Sequence, residues 1–266
     1  MSRIDARPRR PFRFALVTGA SSGIGAAFAE ELPAGTGLLL TARDHDRLSE
    51  LAERLARPGR EIVTVAADLT RDAGRTLVIE QAERHGIDLL VNNAGVGRFG
   101  RMLDHSADAE REVVELNVVA TVVLIHALLP GMLVRAREAG ERAGLILVAS
   151  STAFTPVPFL ATYAASKAFG LSLGEALAEE LRDEPIDLLT LCPGPTRSRF
   201  AARSGFGEQF PGAMSPRRVA REGLSALGRR TVHVLGLGGL ALNPIAFGRY
   251  ALTGGLGAAL RRYVRP

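Results

Sequence analysis

The stretch Thr18-Gly19-Ala20-Ser21-Ser22-Gly23-Ile24-Gly25 follows an apolar strand predicted at Phe12 to Thr18 and precedes a helix predicted to end near Leu32. Glycines at such a position allow a tight turn. They also let the backbone approach a phosphate at the helix N-terminus, where free N–H groups and the helix dipole favour anions. The G-x-x-x-G-x-G spacing differs from the G-x-G-x-x-G of the standard dinucleotide fingerprint. The position after the first strand nevertheless predicts a nucleotide-phosphate site.

Outward from this turn, apolar runs alternate with helical stretches along the chain, which is typical of parallel βαβ units. Fully apolar runs such as Leu38-Leu39-Leu40 predict strands covered on both faces. A long helix is predicted over Ala107 to Arg137, either continuous or interrupted near Pro130. The fold class is therefore an α/β, doubly wound (Rossmann-like) parallel sheet in three α/β/α layers, with ligands at the carboxyl ends of its strands. Further strands are predicted at Gly37 to Ala42, Glu61 to Ala66, Asp88 to Asn92, Leu145 to Ala149 and Ile186 to Cys192.

The chain is predicted to contain one domain between two dissimilar ends. Residues 1–11 hold a Pro/Arg cluster that predicts a flexible basic tail. Residues 12–235 form the α/β domain. Residues 236–266 form an apolar extension, predicted to pack on the domain or on a partner subunit. Because the extension has no uninterrupted run of 18 apolar residues, a spanning helix is not expected, and a peripheral membrane contact is the less favoured alternative.

The composition argues against several classes of function. The net charge is +5, but the arginines are spread among 28 acidic residues without an interleaved aromatic pattern, so nucleic-acid binding is not expected. Cys192 is the only cysteine, and the five histidines lack metal-ligand spacing, so no disulfide and no metal site are predicted. The N-terminus has no apolar segment typical of a signal peptide, which predicts a cytoplasmic location.

The use of basic residues singles out one side chain. Of 33 basic residues, Lys167 is the only lysine, and Tyr163 precedes it by four positions. On a helix these two side chains share a face. An ammonium is a compact charge that responds to burial, whereas a guanidinium is a planar group that stays charged. Chemistry that needs a point charge beside a phenol would explain the exception, although a lysine retained by chance remains an alternative.

The residues after the second and third strands bear on the choice of nucleotide. An acidic residue at the end of the second strand would bind the ribose hydroxyls of NAD, but here Ala42 holds that position and Arg43 follows. Arg43 suits the 2′-phosphate of NADP. The adjacent Asp44 is an acidic residue and is the argument for NAD. Asp68, beside Leu69, is placed to meet the adenine, or else to cap a helix together with Thr70.

Taken together, these elements resemble the short-chain dehydrogenase/reductase family in its single-domain branch. The resemblance covers about residues 12 to 200 and rests on several motifs in the family's order. They are TGASSGIG at 18–25, NNAG at 92–95, Asn117 in LNV, SSTA at 150–153, YAASK at 163–167 and PGPTRS at 193–198. The resemblance implies NADPH-dependent interconversion of a small-molecule carbonyl and an alcohol. The alternative is a nucleotide-binding regulatory or scaffold protein without turnover.

The resemblance also implies roles for individual residues. Tyr163 is the expected acid and base, with its pKa lowered by Lys167, and Asn117 holds a water in a proton relay. Ser151 is chosen to hold the substrate oxygen, while the family's usual serine-to-tyrosine separation selects Ser150. The implied cofactor residues are Gly19, Ser21, Ser22, Gly23, Ile24, Gly25, Arg43, Asp68, Leu69, Asn92, Ala94, Gly95, Tyr163, Lys167, Pro193, Gly194, Thr196 and Ser198.

The remaining expectations concern the substrate cover and assembly. The segment from Arg197 to Met214 is expected to form a partly apolar cover for the substrate. The C-terminal Gly-Gly strand ending that is common in tetrameric members of the family is not evident. A homo-oligomer is possible, and a dimer and a monomer both remain open.

Overall fold

The computed structural model of the chain describes residues 12–205, 212–236, 245, 248–249 and 252–253. Its strands are β1 (Phe14–Thr18), β2 (Gly37–Ala42), β3 (Ile62–Ala66), β4 (Leu89–Asn92), β5 (Ala143–Val148), β6 (Ile186–Pro193) and β7 (Val232–Leu235). Its helices are α1 (Gly23–Glu31), α2 (His45–Leu55), α3 (Asp72–Arg84), α4 (Ala107–Val114), α5 (Ala120–Ala139), α6 (Ala161–Glu180), α7 (Arg199–Arg203) and α8 (Pro216–Ala226). The predicted basic tail, 1–11, lies outside the described residues.

The described strands form one parallel sheet in the order β3-β2-β1-β4-β5-β6-β7. Leu38, Leu39 and Leu40 of β2 are fully buried, as their apolar run predicts. Alternate side chains of the strands enter two separate cores, one on each face of the sheet, because successive residues of a strand point to opposite sides. Helices cover both faces, so the predicted three-layer, Rossmann-like fold is confirmed.

The strand order determines where the site lies. β1 pairs with β2 on one side and with β4 on the other, so the chain leaves these two central strands in opposite directions. Thr18 joins the end of β1 to the residues that follow β4. Its Oγ1 accepts hydrogen bonds from the backbone N–H groups of Asn93 and Ala94, both at 2.9 Å. Ligands of open α/β sheets bind at such a switch point, outside the carboxyl ends of the strands.

The long helix predicted at Ala107 to Arg137 is divided, but not at Pro130. A π-helical turn at Glu115–Val119 separates α4 from α5, and α5 continues through Pro130, which lies on an exposed face. The stretch Ala107–Ala139 is long and apolar enough to cross a membrane by length and composition. In this fold, however, α5 packs on the sheet with Leu124 and Leu128 fully buried, which accounts for its hydropathy.

Most of the predicted extension, 236–266, lies outside the described residues. Among those described, Arg249 forms a bidentate ion pair with Glu175 of α6, with an Nη2–Oε2 distance of 2.8 Å. The Glu175 side chain is only 3% exposed, so this pair neutralises a carboxylate that would otherwise be buried without a partner. This part of the extension therefore contacts the α/β domain.

Candidate active site

A cavity of about 570 Å³ opens at the carboxyl ends of β1, β2, β4, β5 and β6. One end lies against the turn between β1 and α1 and the end of β2. The other end holds the residues after β5 and the start of α6. The predicted residues that line it are Gly19, Ser21, Ser22, Gly23, Ile24, Arg43, Asp68, Leu69, Ala94, Gly95, Ser151, Tyr163, Lys167, Pro193, Gly194, Thr196 and Ser198.

The glycine-rich turn is built for close approach by a ligand. Gly19 and Gly23 have φ values of +67° and +60°, in the left-handed region that favours glycine. Gly25 does not line the cavity: a Cβ there would collide with the carbonyl oxygen of Gly19, so this glycine lets the helix pack on the turn. The α1 N-cap residue, Ser22, makes no side-chain capping bond, which leaves the first N–H groups of α1 available to an anion.

Charged side chains gather where β2 ends. Arg43 is 55% exposed and its Nη1 lies 2.9 Å from Glu112 Oε1. Asp44 is engaged by Arg47. Its carboxylate accepts a hydrogen bond from the Arg47 backbone N–H, which caps α2, and forms an ion pair with the Arg47 side chain at 3.1 Å. The carboxylate that would have argued for NAD is therefore held by α2.

Asp68 interacts with Thr70, as the alternative to an adenine contact predicts. Its Oδ1 accepts hydrogen bonds from the Thr70 backbone N–H and hydroxyl, at 3.0 and 2.8 Å. Burial acts to raise the pKa of Asp68, but these hydrogen bonds and the charges of Arg43 and Arg71 outweigh it and hold the pKa below its ordinary value. Asp68 also lines the cavity, so both expectations for it are compatible.

Tyr163 and Lys167 share one face of α6, as their spacing predicts. The Lys167 ammonium lies 5.8 Å from the centroid of the Tyr163 ring and donates a hydrogen bond to the Val148 carbonyl at 3.0 Å. Lys167 is 8% exposed. A Cβ on Gly95 would lie 3.3 Å from its Nζ, so the space around the ammonium is closely fitted.

The protonation of this pair differs from the expectation of a tyrosine with a lowered pKa. Burial raises the pKa of Tyr163 to about 12, and the hydroxyl of Ser150 acts in the opposite direction. Burial likewise lowers the pKa of Lys167 to about 8. Because the ammonium is directed to Val148 rather than to the phenol, desolvation dominates the pKa of Tyr163. At neutral pH the phenol is protonated and the ammonium is charged.

The contacts of the two candidate serines differ. Ser150 is buried, lines the cavity, and places its hydroxyl close enough to act on the Tyr163 phenol as a hydrogen-bond partner. Ser151 also lines the cavity, but its Oγ is directed towards Gly194, 3.9 Å from where a Cβ on that glycine would lie. The geometry favours Ser150, which the serine-to-tyrosine separation selects, over the chosen Ser151.

We expect Ser150→Ala to lower kcat for carbonyl reduction by about 100-fold, because it removes a hydrogen-bond donor from the substrate oxygen. Ser151→Ala, the matched control, should change kcat by less than about threefold, since this hydroxyl is not needed at the reacting atom. Steady-state kinetics of the two variants would decide the assignment. The reverse ranking would restore Ser151 as the catalytic serine.

Two of the predicted asparagines, Asn117 and Asn92, lie behind the residues that line the cavity. Asn117 lies in the π-helical turn, where its side chain accepts from the Val96 N–H and donates to the Val96 carbonyl and the Ser166 hydroxyl, each at 2.9 Å. Its role in holding a water for Lys167 stays a prediction. Asn92 does not line the cavity, because it is buried and donates to Thr121 Oγ1 at 2.9 Å. Asn93, which was not predicted as a site residue, lines the cavity, and its side-chain amide donates a hydrogen bond to the Thr18 carbonyl.

The segment after β6 crosses the cavity. The Cβ of Ser198 would lie 2.9 Å from a Cβ on Gly23, so this segment is seated on the glycine-rich turn. Ser198 caps α7 by accepting from the Phe200 backbone N–H at 3.3 Å. The Phe200 ring then packs on the Tyr163 ring, with 5.2 Å between centroids. Of the expected cover, 197–214, the residues that line the cavity are Ser198, Phe200, Ala201, Arg203 and Ser204. Residues 206–211 lie outside the described residues, and the role of this segment as a substrate cover stays a prediction.

Comparison with known proteins identifies what this arrangement is similar to. The family model described as short chain dehydrogenase matches residues 13–208. The chain spans 61% of the length of one curated relative, a short chain dehydrogenase of Pseudocercospora fijiensis, and 91% of another, an oxidoreductase of Staphylococcus saprophyticus. A third, the inactive hydroxysteroid dehydrogenase-like protein 1 of Rattus norvegicus, is 31% identical over 238 residues, which are 85% of this chain and 70% of that protein.

Two solved structures are similar over most of their length. A short-chain dehydrogenase from Sphingobium yanoikuyae, in complex with NADPH, is 30% identical with a TM-score of 0.77, covering 95% of this chain and 96% of that one. A short chain dehydrogenase/reductase from Burkholderia phymatum, in complex with NAD, is 26% identical with a TM-score of 0.75, covering 88% and 91%. Closely similar folds thus hold either nicotinamide cofactor.

Proposed function

The chain belongs to the short-chain dehydrogenase/reductase family, in which oxidoreductase activity with NAD(P) is typical. From that premise we propose that it transfers a hydride between NADP(H) and a carbonyl or alcohol substrate. The observation that carries the proposal is the group formed by Tyr163, Ser150 and Lys167 at one end of a cavity whose other end is the glycine-rich turn.

The residues present fit a dinucleotide. Gly19 and Gly23 leave room for close approach, the first N–H groups of α1 suit a pyrophosphate, and Arg43 suits a 2′-phosphate. When bound, the nicotinamide supplies or accepts the hydride. Every other part of the reaction falls to side chains of this chain.

In the direction of reduction, the phenol of Tyr163 donates its proton to the carbonyl oxygen as the alcohol forms. The Ser150 hydroxyl donates a hydrogen bond to the same oxygen and stabilises the charge that develops there. The ammonium of Lys167 stabilises the phenolate that remains. In oxidation the phenolate takes the proton back. Because burial raises the pKa of Tyr163 to about 12, the phenol carries its proton at neutral pH, as the reductive direction requires.

We propose NADP(H) rather than NAD as the cofactor because of the contacts of Arg43 and Asp44. Arg43 lines the cavity at the end of β2, and no acidic residue precedes it there. The carboxylate of Asp44 is already engaged as the α2 cap and as the partner of Arg47. A guanidinium binds a phosphate with charge-assisted hydrogen bonds, whereas ribose hydroxyls need an acceptor.

Arg43→Ala should weaken NADPH binding by about 10- to 100-fold, because a charge-assisted hydrogen bond contributes about 1.5–3 kcal/mol. NADH binding should change by less than about twofold. Titration of both cofactors at one fixed salt concentration would measure this. Arg54→Ala is the matched control: Arg54 lies on α2, the helix that follows Arg43, but it pairs with Glu30 and does not line the cavity. Equal loss of both cofactors in Arg43→Ala would refute the phosphate assignment.

The substrate end of the cavity is apolar. Val96, Phe99, Val157, Leu160 and Phe200 line it, and Lys167 is the charged residue beneath it. Among the described lining residues, the other charged ones are Arg43, Asp44, Asp68 and Arg203. We propose an uncharged carbonyl compound with an apolar substituent, because a charged group would lose its hydration there without gaining a partner.

The mouth of the cavity extends this apolar surface. The rings of Phe99, which lines the cavity, and Phe159 lie 6.4 Å apart. Phe159 has a φ of +64°, which is strained for a residue other than glycine, and its carbonyl accepts a hydrogen bond from Gly100 at 3.0 Å.

Matched substrates would test the proposed class. An aryl or long alkyl ketone should be reduced with a kcat/KM at least about 100-fold above that of a 2-keto acid of the same size, because burying an unpaired carboxylate costs several kcal/mol. Lengthening the alkyl chain should raise kcat/KM, by up to about fourfold per methylene group. A preference for the keto acid would contradict the assignment.

A further inference from the structure

Helix α7 lies across the cofactor cavity rather than beside it. At its start, Ser198 is seated on Gly23 of the glycine-rich turn. In its middle, Phe200 packs on Tyr163. At its end, the carbonyl of Ser204 accepts a hydrogen bond of 2.7 Å from the Phe99 backbone N–H, in the loop that follows β4. The helix is thus fixed to both walls, and its side chains line the space between them.

Arg203, the last residue of α7, lines the same cavity as Arg43. The charges that act on it are the guanidinium groups of Arg199, Arg43 and Arg47 and the carboxylate of Asp44. Burial, followed by the neighbouring arginines, lowers the pKa of Arg203 below its ordinary value. These interactions place its guanidinium at the end of the cavity formed by β2 and the start of α2.

Within the described chain the Asp44 carboxylate acts on Arg203, but three guanidinium groups outnumber it. Asp44 pairs with Arg47, and the Glu112 carboxylate is shared between Arg43 and Arg98. No described carboxylate forms an ion pair with Arg203 itself. Several guanidinium groups held together at the edge of a cavity repel one another, and an anion between them would offset that repulsion.

A second observation independently points to a ligand. Ser204, next to Arg203, is only 3% exposed and lines the cavity. Its hydroxyl has no hydrogen-bond partner within the described chain. A buried hydroxyl without a partner costs about 1–3 kcal/mol, so a group in the cavity that accepts its hydrogen bond would remove this cost.

We propose that Arg203 is a second ligand of the 2′-phosphate of NADP(H), opposite Arg43, and that Ser204 donates a hydrogen bond to the same nucleotide. The proposal rests on the proposed use of NADP(H). Because α7 also carries Phe200 against Tyr163, the bound phosphate holds one wall of the substrate site in place. Binding of NADPH should therefore tighten binding of the ketone, and by thermodynamic linkage the ketone should tighten binding of NADPH equally.

The test is a set of fluorescence titrations with NADPH, NADH, 2′,5′-ADP and 5′-AMP. Arg203→Gln should weaken NADPH and 2′,5′-ADP by about tenfold or more and change NADH and 5′-AMP by less than about twofold. Ser204→Ala should weaken both dinucleotides by a similar, smaller factor. Arg199→Gln is the matched control: it removes the same charge from the same helix, but Arg199 is exposed and does not line the cavity.

The outcomes separate this inference from the proposed function. If wild-type protein binds NADPH and NADH equally well, the NADP(H) assignment fails and the inference fails with it. A different result would overturn the inference alone. In that result wild type prefers NADPH, the Arg43→Ala variant loses this preference and the Arg203→Gln variant keeps it. Equal effects of Arg203→Gln and Arg199→Gln would also overturn it, because they would show only the general effect of charge. Retention of part of the preference by Arg203→Lys would support it and would show that the variants are folded.

Discussion

Tyr163→Phe is expected to lower kcat for ketone reduction by about 1,000-fold or more while leaving the Kd of NADPH within about twofold of wild type. The substitution removes only the phenolic oxygen, so the ring still packs on Phe200 and α6 is undisturbed. What is lost is the assigned proton donor, and the Ser150 hydroxyl beside it is a far weaker acid. Steady-state kinetics combined with NADPH titration would measure both quantities.

The same preparation provides the control for Tyr163→Phe. An unchanged Kd for NADPH shows that the cavity is intact, so a loss of turnover is then chemical. Turnover within about threefold of wild type would rule out Tyr163 as the acid. A loss of both binding and turnover would show instead that the phenolic oxygen supports the cavity itself.

Lys167→Arg is expected to lower kcat/KM by about 100-fold or more and to change its pH dependence. Lys167 is buried and closely fitted against Gly95 and the Val148 carbonyl, so a planar guanidinium cannot take the same position. In wild type the pKa of Lys167 is about 8. The ammonium is charged below that pH and loses its proton above it, so reductive kcat/KM should fall as pH rises through about 8.

In Lys167→Arg this fall should move to higher pH, because a guanidinium keeps its proton throughout that range. The measurement is kcat/KM against pH at saturating NADPH for wild type and variant. Lys167→Gln, which is neutral at every pH, serves as the control and should show low activity without the fall near pH 8. A variant with the wild-type profile would show that the charge at position 167 does not set the pH dependence.

Much of the fold could be predicted from the sequence because β1, β4, β5 and β6 are fully buried and β2 nearly so. Their apolar runs stand out from the helices, and β2 was predicted at the residues where it is found, Gly37 to Ala42. The Tyr163 and Lys167 pair could be predicted because one regular helix places both residues. Local periodicity determines each of these features.

The features that could not be predicted depend on contacts between distant residues. The π-helical turn arises where Asn117 binds the backbone of Val96, so Pro130, the usual cause of a break, was the wrong position. Asn92 ends β4 with its side chain directed away from the cavity, and only the next residue, Asn93, faces it. The position of Arg203 near Arg43 joins parts of the chain that are far apart in sequence.

The expected protonation of Tyr163 was missed for a related reason. Spacing shows that a cation is near the phenol, but it does not show how much water both groups have lost. In the structure burial is the larger effect on both groups, raising the pKa of Tyr163 and lowering that of Lys167. At neutral pH the phenol of Tyr163 therefore keeps its proton.

The most direct test of the central claim is a single-turnover experiment in which the protein is mixed with one equivalent of NADPH and an excess of an apolar aryl ketone. The account predicts loss of the reduced-nicotinamide absorbance, matched mole for mole by the alcohol, and no such loss with Tyr163→Phe. Saturable binding of NADPH without turnover of any uncharged ketone, or of the alcohols with NADP, would contradict it. That result would support a nucleotide-binding regulatory protein on the same fold.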